Sequence, residues 1–204
     1  MKDKLFNYES IVVQQYSTSR TYFMPNSDPK NSADSYPAAY LIPFQWQFWG
    51  VPDGGEEILF EAIDDADFSN CTKIGELSAY LILCKMMRND GVNPLIVCDD
   101  ESADLEYVMS ALTSKIGPFF KKGNSFADII YINDFKIEEI PKQQGMDSRI
   151  LQQLPELCKE LMHVKPEMLA FMEASTPDRK ETQFYIKNGF EKLGSTQLLY
   201  VLKR

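Results

Sequence analysis

The sequence predicts a mixed α+β domain, with a largely antiparallel central sheet, three or four flanking helices and an N-terminal extension. Three observations carry this. Apolar segments of strand length recur at residues 40–49, 74–83, 128–137, 168–173 and 197–204. Helical patterns lie between them at 102–116, 149–163 and 178–188. The last third interleaves the two kinds of element as strand, glycine-bearing turn, helix, strand, helix, strand.

In chain order, a first strand is expected at residues 10–15. Residues 17–39 are rich in Ser, Asn, Asp and Pro, which is loop chemistry. From Tyr40 to Trp49 large apolar residues alternate with glutamine, the pattern of a half-buried strand. Trp46 and Trp49 are three apart and so fall on opposite faces, with a core position favoured over an interface. The turn Pro52-Asp53-Gly54-Gly55 leads into an apolar run at 57–63. Residues 74–83 and 94–98 read as two further strands, separated by a turn at Asn89-Asp90-Gly91. The helix at 102–116 carries acidic residues in its first turn, where they suit the helix dipole. Pro155 removes one backbone donor from the helix at 149–163 and predicts a kink.

At 204 residues, 44% hydrophobic and 25% charged, the chain has an ordinary globular composition. It divides into an extension at 1–60 and a main domain at 61–204. No apolar run is long enough for a membrane span, and the N-terminus lacks the apolar segment of a signal peptide. The expectation is a cytoplasmic protein with no membrane partner. Cys71, Cys84, Cys98 and Cys158 are widely spaced with no C-x-x-C pair, and His163 is the sole histidine. That spacing predicts buried apolar cysteines and no metal site. A net charge of −9 argues against nucleic acid, which needs a basic face, and is compatible with a cationic amine substrate.

Two motifs in the last third carry more specific information. One is Phe135-Lys136-Ile137-Glu138-Glu139-Ile140-Pro141-Lys142-Gln143-Gln144-Gly145-Met146-Asp147; the other is Phe184-Tyr185-x-x-x-Gly189-Phe190. On these residues the chain resembles the GNAT superfamily of acetyl-CoA-dependent N-acetyltransferases. That family's fourth strand and phosphate turn follow roughly L-x-V-x-P-x-Y-R-G-x-G-x-G, and its late helix N-x-x-A-x-x-(L/F)-Y-x-x-x-G-F. The likeness covers about 75 residues. A weaker extension runs back through 74–83 and the D-x-x-S-x-D-L segment of Asp99, Ser102, Asp104 and Leu105.

The resemblance implies a GNAT-like acyl-CoA N-acyltransferase fold using acetyl-CoA as cosubstrate. The pyrophosphate would rest on backbone N–H groups at a helix start, among Lys142, Gln143, Gln144, Gly145, Met146, Asp147 and Ser148. The pantetheine arm would add to the strand at Phe135 and Ile137, where a backbone N–H would also polarise the thioester carbonyl. Tyr185 would protonate the coenzyme A thiolate, or else it packs beside Phe184 with its hydroxyl on backbone. Asp134 and Glu138, with Glu139, flank the place for the amine and are the candidate bases; a water chain is the alternative. The acceptor would be a small-molecule or protein amine, and a homodimer is compatible with the family.

The sequence also departs from the family pattern. Lys142 stands for the arginine, Gln143 and Asp147 for two of the glycines, and Asp178 and Glu181 for the late-helix asparagine and alanine. Asp147 brings a carboxylate toward a phosphate site, and as an N-cap it could fill that site itself. A second expectation follows: a GNAT-fold binding or regulatory module without catalysis, its coenzyme A site weakened or blocked.

Overall fold

The computed structural model describes residues 11–16, 39–50, 67–121, 126–143, 145–173 and 179–202. Residues 17–38 of the expected loop, the turn at 52–55, the run at 57–63 and Gln144 lie outside these. The described strands are β1 (Ile11–Tyr16), β2 (Leu41–Gly50), β3 (Thr72–Ile82), β4 (Ile129–Ile137), β5 (Met168–Met172), β6 (Glu191–Lys192) and β7 (Leu198–Leu202). The described helices are α1 (Cys84–Asn89), α2 (Pro94–Glu101), α3 (Ala103–Thr113), α4 (Pro118–Lys121), α5 (Glu139–Gln143), α6 (Met146–Met162) and α7 (Arg179–Lys187).

The strands form one sheet in the order β1-β2-β3-β4-β5-β7-β6. Every pairing is antiparallel except that of β4 with β5. Because side chains alternate along a strand, each face of the sheet carries its own core. On one face Trp46, Leu77, Ile130, Ile132 and Phe171 pack with Ile150 and Leu154 of α6 and Tyr185 of α7. On the other, Ile82, Ile129, Tyr131 and Ala170 pack with α1, α2 and α3 through Met87, Val97 and Leu105. Trp46 is fully buried, whereas Trp49 is half-buried, stacked on Phe68 with its indole N–H donating to Gln14.

The run at 94–98 is a helix, not the expected strand. Asn93 caps it by accepting from the Leu95 N–H, and Pro94 occupies the first turn, where its missing N–H costs nothing. A short apolar run has the same appearance in either state, so the capping residue decides. The helix expected at 102–116 is α3, capped by Ser102 through the Leu105 N–H. α6 continues as a single helix through Pro155, which is buried. Cys84, Cys98 and Cys158 are free and buried in the cores, and burial pushes the Cys98 and Cys158 thiols up to about 12.

One irregularity reorganises the middle of the sheet. Ala79 of β3 faces Ile132 of β4, but Ser78 faces Asp134, so Asn133 is an extra residue, a β-bulge. In a regular strand Ile130, Ile132, Asp134 and Lys136 would share one face. The bulge instead turns Phe135 and Ile137 onto the α6 and α7 core and sends Asp134 and Lys136 to the opposite face.

Candidate functional site

β4 and β5 run side by side only from Ile129 to Ile132. Beyond the bulge β4 continues to Ile137 against β3 alone, so among the described residues no strand pairs with its other edge. The Glu138 N–H bonds to the Ile74 carbonyl, so by antiparallel alternation Lys136 and Asp134 also turn their backbone toward β3. Phe135 and Ile137 therefore present their backbone N–H and C=O groups to the side β5 has left. These are the two residues expected to hold an extended ligand. Gly75 sits opposite Ile137, and a Cβ there would lie 2.2 Å from the Lys136 carbonyl oxygen. That is closer than any real contact, so β3 and β4 come together here only because residue 75 is glycine.

The expected phosphate turn takes a particular form. Lys142 and Gln143 belong to the short helix α5, with the Lys142 N–H donating to the Glu138 carbonyl. Gly145 then adopts φ 76° and is the N-cap of α6. Glycine bears this left-handed conformation without cost. The N-cap thus falls to Gly145 rather than Asp147. Asp147 nevertheless acts on the helix start: its carboxylate accepts the Ser148 N–H at 2.7 Å, occupying one of the donors an anion would use. The Ser148 hydroxyl accepts from Asn188 at 3.1 Å and so ties α6 to the end of α7, instead of capping. Met146 is buried in the core, while Lys142 and Gly145 are exposed.

Tyr185 is 1% exposed and enclosed by three rings, with Phe171 stacked at 4.0 Å and Phe184 and Phe190 edge-on at 5.2 and 5.1 Å. Among the described residues, no hydrogen bond to its hydroxyl is seen. Burial, then the charges of Glu181 and Asp134, push its pKa far up and keep it protonated. Phe184 in turn stacks on Phe135 at 6.2 Å, joining α7 to the free part of β4. Asp134 pairs with Lys136 at 2.5 Å. Glu138 is exposed and lies just before α5.

Sequence reading missed Glu173. It follows β5 at the mouth of the split and is 4% exposed, one of two buried acids among the described residues. Thr182 of α7 donates to it at 2.8 Å and Lys192 of β6 at 2.5 Å. Burial alone would raise this carboxyl, but the bonds from Lys192 and Thr182 and the Lys192 charge together hold it below its usual value. Glu173 thereby fixes α7, and with it Tyr185, against the sheet. A carboxylate ending an apolar strand gives no sign in the sequence of which partners it will meet.

No protein-family model matches this chain, and none of the curated proteins does. Among solved structures, a chain in "The crystal structure of KacTA-DNA complex" aligns with a TM-score of 0.43 and 8% identity, covering 95% of this chain and 93% of that one. A tyrosine-to-phenylalanine mutant of KacT aligns with a TM-score of 0.44 and 9% identity, covering 94% of each. Similarity at this level carries no argument about family or activity.

Proposed function

We propose that the chain is an acyl-CoA-dependent N-acyltransferase of GNAT type, moving an acetyl group from acetyl-CoA to a primary amine. The observation that carries this reading is the unpaired edge of β4 at Phe135 and Ile137, next to a helix that starts at a left-handed glycine. An extended chain bearing amides completes such an edge as an added strand, and an anion attached to it meets the N–H groups opening α6. The arrangement fits pantetheine joined to a pyrophosphate. In this reading residues 61–204 are the acyltransferase domain, and β1 and β2 belong to an extension that widens the sheet.

The chemistry follows from what lies near the split. The Phe135 N–H polarises the thioester carbonyl, lowering the barrier to attack by an amine. Asp134 or Glu138 takes the amine's proton, directly or through water. Tyr185 is the candidate donor of a proton to the departing thiolate. A second reading has one specific observation in its favour. The Asp147 carboxylate already holds a donor of the α6 start, as expected for a binding module with a weakened coenzyme A site.

Thiol release from acetyl-CoA, measured across a panel of primary amines, tests the reading. Turnover with at least one amine class is expected, falling about tenfold or more in Tyr185→Phe without loss of thermal stability. Absence of turnover with every amine, despite coenzyme A binding, would favour the binding module.

A further inference from the structure

Lys136 is placed where no substrate-binding role has been given to it. The bulge at Asn133 sends its side chain to the face away from α6, where it is 68% exposed. It sits on β4 between Phe135 and Ile137, the two residues whose backbone faces the split. Its amine does not extend freely into solvent. It bonds to the Asp134 carboxylate at 2.5 Å, which draws Nζ back along the strand toward the bulge, where β4 and β5 separate. Glu76 faces it across the strand pair and is itself bound to Lys73 at 2.8 Å. A primary amine thus stands beside a candidate base at the opening through the sheet.

We infer that Lys136 is itself an acyl acceptor, a self-modification site that occupies the acceptor position until a free amine displaces it. The inference rests on the acyltransferase reading. The step balances with acetyl-CoA as the sole co-reactant. Lys136 yields one proton to Asp134 and attacks the thioester carbonyl carbon through Nζ; an N–C bond forms and the C–S bond breaks. The nitrogen's second proton goes to the departing thiolate, which leaves as coenzyme A, and Lys136 becomes a neutral amide. Asp134, protonated in the step and without its ion pair, gives its proton to solvent, and the carboxylate then accepts from an incoming ammonium.

The structure supplies internal controls. Lys85, Lys159 and Lys165 are also exposed and ion-paired, with Glu167, Glu156 and Glu156 respectively, on parts of the fold away from the split. The full chain would be incubated with acetyl-CoA, acetylation rates read lysine by lysine by mass spectrometry, and coenzyme A binding measured in parallel by calorimetry. The expected result is acetylation of Lys136 about tenfold or more faster than the three controls, saturating with acetyl-CoA and slowed in Asp134→Asn. A primary amine added in excess should protect it. Coenzyme A binding with Lys136 labelled no faster than the controls overturns the inference and leaves the acyltransferase reading intact. No coenzyme A binding, with uniform labelling, overturns both.

Discussion

The box of three phenylalanines around Tyr185 fixes what its hydroxyl can contribute. With no hydrogen-bond partner to lose, Tyr185→Phe should leave stability within about 0.5 kcal/mol of the parent, whereas an unfilled Tyr185→Ala cavity should cost ~3–5 kcal/mol. Thermal melts of both variants, set beside thiol release, separate a chemical role from a packing role. Glu173 behaves differently because all its partners are polar. Its folded carboxyl is held below the usual 4.5, so the stability it adds is present above that value and lost as pH falls through its folded pKa. Glu173→Gln should lower stability at neutral pH by about 1–2 kcal/mol, the half-exposed Lys192 screening the pair. Its denaturation should also depend less on pH below 4.5 than the parent's. His163 ends α6 with φ 58°, a conformation that favours glycine, and His163→Gly should stabilise by about 0.5–1 kcal/mol in a urea titration. Tyr185 and Asp134 stand out in the sequence as candidates because they lie in or beside the two motifs of the last third. Glu173 does not, because its role comes from Thr182 and Lys192, which the fold brings to it.

At the scale of elements, the bulge in β4 is the feature on which the site depends. The sequence showed Phe135 and Ile137 as the last apolar residues of a strand, but their face follows from the extra residue at Asn133, which carries no local mark of a bulge. Beyond the bulge, the partner strand carries Gly75 opposite Ile137. Gly75→Ala would drive a methyl group into the Lys136 carbonyl, so β3 and β4 must part at the rim of the split. The expected outcome is a loss of about 1–3 kcal/mol in stability together with weakened coenzyme A binding, read by melting and calorimetry. The α2 region shows the opposite lesson. Its apolar run suggested a strand, and only the Asn93-Pro94 start, a capping signal, distinguishes the helix it forms.

For the whole molecule, the sheet separates two tasks. α6 and α7 cover one face and bring the helix start and Tyr185 to the split, while α1, α2 and α3 seal the other face at the opposite end of β4. That arrangement was legible in outline from the alternation of strand and helix in the last third of the chain. Which edge stays unpaired was not, since it depends on where β5 stops relative to β4. The coenzyme A site is tested most directly by acetyl-CoA binding, measured by calorimetry on the parent chain and on Asp147→Gly. An anion about 5 Å from the Asp147 carboxylate is opposed by roughly 3 kcal/mol at an effective dielectric of about 20. Saturable binding by the parent is expected, tightened by about ten- to a hundredfold in Asp147→Gly, which removes that repulsion and frees the Ser148 N–H. Failure of both proteins to bind acetyl-CoA would contradict the assignment of the split as a coenzyme A site.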